Sequence, residues 1–169
     1  MAEIFICDCS YAENTFLSDE NLRELFGFFQ LNSPFISSYQ SREVKKSQIE
    51  AILQRMLKNW DENSVNFINP TRKIMKVLNE NKLDQSSVQC KGKRFVVQKQ
   101  NNSEEELVCL LRHIRNSLAH GSVFVKTVGA TRYILFEDYK KSNCISAKII
   151  CTQKELERWK KIIERYQKK

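Results

Sequence analysis

Apolar residues recur at helical spacing through the first half of the chain. Leu22, Leu25, Phe26 and Phe29 follow Ser18-Asp-Glu-Asn, which offers an N-cap, and predict a helix over residues 18–30. Val44, Ile49, Ile52, Leu53, Met56, Leu57 and Trp60 form an apolar stripe between charged positions and predict a second over 41–60. Pro70 suits the first turn of a third, over 70–81, with Ile74, Met75, Val77 and Leu78 inside. From Leu83 to Asn102 the chain is polar at both ends around Arg-Phe-Val-Val-Gln, which follows the Lys91-Gly-Lys93 turn signal. It reads as a loop or small ribbon. Ser103 and the acidic run Glu104–Glu106 open a helix over 103–120 that stops at Gly121. The period then changes. Strands are expected at 122–128, 132–138 and 144–151, separated by Val128-Gly-Ala and Lys140-Lys-Ser-Asn, as in a small antiparallel meander. Thr152-Gln-Lys-Glu155 is a capping box opening a last helix over 152–167, with Leu156, Trp159, Ile163 and Tyr166 on one side. The fold class is α+β, mainly α.

Composition keeps this in one domain, 1–169. Four Gly, two Pro and 41% hydrophobic residues leave no repeat or low-complexity linker. The net charge of +8 favours a polyanion such as RNA, although solubility alone also accounts for a basic surface. Cysteines 7, 9, 90, 109, 144 and 151 are irregularly spaced, and Cys7-x-Cys9 is too tight for a zinc-ribbon pair and has no second pair to join. Free thiols, no metal and no cofactor are expected. No apolar run reaches the roughly 18 to 20 residues that cross a bilayer, and the N-terminal Ala-Glu-Ile-Phe-Ile-Cys-Asp-Cys stretch lacks a basic flank. A soluble, cytoplasmic protein without membrane contact is expected.

The candidate chemistry lies on the 103–120 helix. With Arg115 at zero, Arg112 falls at about 60°, Asn116 at about 100° and His120 at about 140° around the axis. Leu107, Leu111, Ile114 and Leu118 fall on the other side, as a stripe suited to a core. One arc thus displays two guanidinium groups, an amide and an imidazole. On RNA the 2′-hydroxyl serves as an internal nucleophile, so such a set can act without a metal. His120 suits proton transfer near neutral pH as base or acid, and Arg115 suits the charge that grows on phosphate oxygens. Asn116 would orient the phosphate or the imidazole, and Arg112 would position substrate.

At these residues, Leu-Leu-Arg-His-Ile-Arg-Asn-Ser-Leu-Ala-His-Gly, the chain resembles the HEPN superfamily, whose Arg-x(4–6)-His motif prefers a polar residue directly after the Arg. The matching positions are Arg115, Asn116 and His120. The resemblance is strongest over 104–121, extends through the following strands and last helix to HEPN nucleases with a small β insertion, and rests only on helical pattern before Leu83. It implies a helical-bundle core, a homodimer joining two motifs in one cleft, and RNA cleavage that leaves a 2′,3′-cyclic phosphate. It also implies a toxin or phage-defence effector, restrained by an antitoxin or other regulatory protein. The alternative is a non-catalytic nucleotide- or RNA-binding module, or a regulatory subunit of such a complex.

Other basic and aromatic residues admit two readings. Lys93 and Arg94, with Lys91 and Lys168-Lys169, suit an RNA backbone, and Phe95 or Tyr166 a stacked base, but turns and chain ends carry such residues anyway. Phe26, Phe28, Phe29 and Trp60 sit at core spacing, Cys109 reads as a small buried hydrophobe, and His113 as solvated surface.

Overall fold

The computed structural model describes residues 19–32, 45–84, 92–140 and 144–167. Ser18, residues 41–44 of the second expected helix, Lys91, residues 141–143 of the last turn, Lys168-Lys169 and Cys7, Cys9 and Cys90 lie outside them. The α-helices among the described residues are α1 (Glu20–Gly27), α2 (Lys46–Leu57), α3 (Ile74–Glu80), α4 (Glu106–Ala119) and α5 (Gln153–Gln167). The strands are β1 (Val65–Ile68), β2 (Arg94–Gln98), β3 (Val123–Val128), β4 (Thr131–Tyr139) and β5 (Ile145–Thr152), ordered β1-β2-β5-β4-β3. Among the described strands β1 and β2 pair in parallel and the other neighbours antiparallel.

The β part is therefore larger than a three-stranded meander, and the fold is mixed α/β. Arg94–Gln98, expected as loop or ribbon, is an interior strand hydrogen-bonded on both sides, to β1 and to β5. Its run of buried Phe95, Val96 and Val97 is what a strand covered on both faces requires. Strict alternation is lost at such positions, and with it the usual strand signal.

Side-chain alternation sorts the sheet into two faces. Ile134 and Phe136 of β4, Ala147, Ile149 and Cys151 of β5, and Phe95 and Val97 of β2 meet α1, α2, α4 and α5 in the main core. Leu135, Ile150 and Val96 point the other way, against Val77 and Leu78 of α3. The main core is tied by two tryptophans. Trp60 and Trp159 stack at 5.4 Å, Trp159 Nε1 donates to the Met56 carbonyl at 2.9 Å, and Trp60 Nε1 donates to Glu155 at 3.0 Å. Both indole N–H groups are thus satisfied inside the core, which lets α5 close on α2 without stranding a donor.

Three helix starts differ from expectation for local reasons. Asp19 is the N-cap of α1, accepting from Leu22 N at 3.1 Å and holding Arg132 of β4 at 2.5 Å. The third helix begins at Ile74, not Pro70, because the carbonyls of Pro70 and Arg72 are taken by the Gln98 side-chain amide at 3.1 and 3.0 Å. The fourth begins at Glu106, not Ser103. Asn101 Oδ1 accepts from Ser103 N and Oγ in an Asx turn, and Glu104 turns back to accept from Gln100 N at 2.6 Å. At α5, Thr152 Oγ1 accepts from Glu155 N at 3.2 Å, but the Glu155 carboxylate goes to Trp60 and Arg158, so only half of the capping box forms.

On the α3 face, Lys148 of β5 and Glu137 of β4 are cross-strand partners, 2% and 0% exposed, with Nζ 3.1 Å from Oε1; Tyr139 donates to the other Glu137 oxygen at 2.7 Å. Removing one member would leave a buried charge alone, so the pair pins the β4–β5 register.

Trp159 is fully buried, and Trp159→Ala removes both the stack and the bond to Met56. Urea unfolding should show a loss of about 3–5 kcal/mol. A loss below about 1 kcal/mol would mean that α5 is not held through this contact.

Candidate functional site

The C-terminal end of α4 is shaped by one glycine. Ser122 N donates to the Ser117 carbonyl at 2.9 Å and Gly121 N to the Leu118 carbonyl at 3.2 Å, the paired bonds of a Schellman motif. Gly121 holds φ +69°, a left-handed conformation that side chains with a Cβ rarely adopt. The helix accordingly ends at Ala119. His120 is the C-cap residue, with φ −95° and ψ 0°. Its backbone N–H still bonds the Asn116 carbonyl at 2.9 Å.

Arg115 and His120 are both exposed. Neither side chain has a hydrogen-bond or ion-pair partner among the described residues, so a guanidinium and an imidazole stand ready for an outside ligand at the last turn and cap of α4. Asn116 is half-buried, and its Nδ2 donates to Asp138 Oδ2 of β4 at 3.1 Å.

The same carboxylate oxygen accepts from His113 Nδ1 at 2.6 Å. His113 is 1% exposed, which corrects its reading as solvated surface. It occupies the α4 stripe Cys109–His113–Ser117, all buried, that faces the sheet. Its Nε2 lies 2.8 Å from the Gln98 carbonyl and 3.3 Å from Arg112 Nη2, so the ring is held on both sides. Burial alone would push Asp138 up, but the His113 hydrogen bond and charge, with help from Asn116 and Arg112, hold it below the ordinary value of 3.8.

Arg112 is committed nearby. Its Nε and Nη2 grip Glu104 at 2.7 and 3.0 Å, and Nη2 also donates to the Gln98 carbonyl at 3.2 Å. Glu104 is likewise held down, its burial outweighed by Arg112 and the Gln100 amide. The Arg112 guanidinium and the His113 ring therefore meet two carboxylates, Glu104 and Asp138, beside α4.

The other basic candidates are elsewhere. Lys93 donates to the Asn59 carbonyl at 2.9 Å and sits 5.5 Å over the Trp60 ring, and Arg94 donates to the Asn81 carbonyl at 3.3 Å. Both lie at the start of β2, roughly 13 Å of strand from Gln98 at the end beside His113. Phe95 is fully buried and unavailable for stacking on a base. The structure brings Arg115, Asn116 and His120 to one end of α4, with Arg112 turned inward and Lys93 and Arg94 apart.

Asp138 and His113 are what sequence reading missed. The signal for Asp138 was present in Ile134, Phe136, Asp138, which alternate onto the core face. For His113 it was the two small residues, Cys109 and Ser117, four positions either side. Cys109 and Cys151 are buried free thiols, and burial pushes Cys109 up to about 12, so it is no nucleophile. Among the described residues no three His, Cys, Asp or Glu side chains cluster as metal ligands, and no helix is long and apolar enough to cross a membrane.

A mixed α/β chain with an Arg-Asn-x(3)-His turn ending its central helix fits one class, a HEPN domain. Residues 37–169 match the HEPN pEK499 p136 family, and the chain belongs to it. Neither the curated proteins nor the solved structures searched contain a match.

Because Asp138 and Glu104 are held below their unfolded values, they stabilise the fold above about pH 4, and that contribution is lost as pH falls through the folded values. Urea midpoints should stay level from neutral pH to about pH 5 and drop below that. Asp138→Asn should lower stability at neutral pH and make the acid limb shallower. An acid limb of unchanged steepness would show that the Asp138 charge carries no folding energy.

Proposed function

We propose that the chain is a metal-independent endoribonuclease acting as a homodimer, with Arg115, Asn116 and His120 at a composite site. The observation that carries this reading is Arg115 and His120, exposed and without a partner among the described residues, at the last turn and cap of α4, in a protein whose Arg112, Lys93, Arg132, Arg158 and Lys160 are all engaged internally. Membership of the HEPN family supports a ribonuclease or nucleotide-binding role.

In the reaction, the ribose 2′-oxygen attacks the adjacent phosphorus and the bond to the 5′-oxygen breaks, giving a 2′,3′-cyclic phosphate and a 5′-hydroxyl. The 2′-hydroxyl proton passes to a neutral imidazole. An imidazolium returns a proton to the leaving oxygen. One His120 cannot hold both states at once, so a second copy supplying its own His120 completes the pair. Arg115 offsets the charge that grows on the non-bridging oxygens. The exposed end of α4, at Arg115, Ala119 and His120, offers a face for the second copy. Service as a toxin or phage-defence effector, restrained by a regulatory protein, extends the same reading, as does a place in the cytoplasm.

Purified protein should cut RNA in excess chelator, and His120→Ala or Arg115→Ala should each reduce the rate at least ~100-fold. Because both side chains are exposed, circular dichroism and melting should be unchanged. Dependence on an added divalent metal, or full activity in His120→Ala, would defeat the proposal. RNA bound but left full length would make the chain a binding module instead.

A further inference from the structure

Asn116 is oriented by chemistry that leaves it one choice. A carboxylate can only accept, so the amide must present its nitrogen to Asp138, as it does at 3.1 Å. That turns Oδ1 away from Asp138, and no described residue donates to it. Flipping the amide would set its oxygen against a carboxylate oxygen. Asp138 cannot swing aside to permit the flip, because it is 4% exposed and its same oxygen is held by His113 at 2.6 Å. His113 is in turn held by the Gln98 carbonyl at 2.8 Å. The line Gln98–His113–Asp138–Asn116 thus runs from the interior of the sheet to the surface of α4.

We infer that Asp138 is a positioning residue which, backed by His113, holds Asn116 with its carbonyl oxygen outward as the acceptor for a ribose 2′-hydroxyl. An outward carbonyl oxygen repels phosphate oxygens, so this face of Asn116 is no phosphate ligand. It is suited to a hydroxyl donor next to the phosphate that Arg115 takes. Deoxyribose lacks that donor and leaves the oxygen unmatched. The inference rests on the ribonuclease reading for the placement of substrate, but its test does not depend on cleavage.

The experiment uses the full chain carrying His120→Ala, so that RNA is not consumed. A short mixed-sequence single-stranded RNA and the DNA of the same sequence are titrated by fluorescence anisotropy. RNA should bind about fivefold more tightly than DNA, the worth of one net hydrogen bond. Adding Asn116→Ala should erase that preference by weakening RNA alone. Adding Asp138→Asn should keep most of it, since the new amide oxygen can still accept from both His113 and Asn116, whereas Asp138→Ala should lose it. If Asp138→Ala fails to fold, the half-buried Asn116→Ala still decides the matter. Equal binding of RNA and DNA by the parent, or an unaltered preference in Asn116→Ala, overturns the inference. Failure of the ribonuclease reading would look different, with wild-type protein leaving RNA intact while the RNA preference persists.

Discussion

The Asp138 carboxylate is the point at which the helical layer and the sheet become one body. It sits on the core face of β4, where water cannot solvate its charge, and is tolerable there only because His113 and Asn116 of α4 reach it. The balance extends one step further, since Arg112 beside His113 is answered by Glu104. Removing either Arg112 or Glu104 would leave its partner charged in a poorly hydrated place. This constraint fixes the rotation of α4 about its own axis, and hence which way Arg115 faces.

A second device sets the translation of α4 along the sheet. Glu137 N donates to the Ser122 carbonyl at 3.0 Å, directly after the Schellman turn, so the helix end is sewn to β4 one residue from Asp138. Rotation and translation are thus governed by adjacent residues on one strand. Glu137 faces the opposite side, where it pairs with Lys148 and fixes the β4–β5 register. A slip of β4 by one residue would turn Asp138 to the α3 face and Glu137 toward α4, away from Lys148. Buried polar pairs on the two faces of one strand therefore act against the same error.

Much of this was legible before any coordinates. Periodicity in Leu107, Leu111 and Ile114 marks the core side of the motif helix, and Gly121 marks its end, because both depend on local backbone physics. The residues Arg94–Gln98 look β-like in the sequence, but their interior place in the sheet was hidden, since burial on both faces removes alternation. Helix starts at Pro70 and Ser103 were misjudged because Gln98, distant in sequence, and Glu104, turned back on the chain, claim groups that would begin each helix. His113 was misread for the same reason. Its partner lies 25 residues away on another element, and no spacing rule connects them. For the candidate site, the motif residues were visible and the scaffold that orients them was not.

The charge of the chain shows the same distinction between composition and arrangement. A net +8 suggests a broadly basic surface, yet Lys160 binds Glu24, Arg132 binds Asp19, Arg158 binds Glu155, and Lys148 is buried with Glu137. These cations serve the fold. Long-range attraction from the excess charge can raise the encounter rate with a polyanion, but it is screened over about 10 Å at moderate salt. Contact at a single phosphodiester needs a cation whose hydrogen-bonding edge is unclaimed. Among the described residues Arg115 meets that condition, while Arg112, one turn earlier, is committed to Glu104. The inward arginine serves the scaffold and the outward one is exposed, and that division of labour within one helix sets a candidate site apart from a diffuse charge.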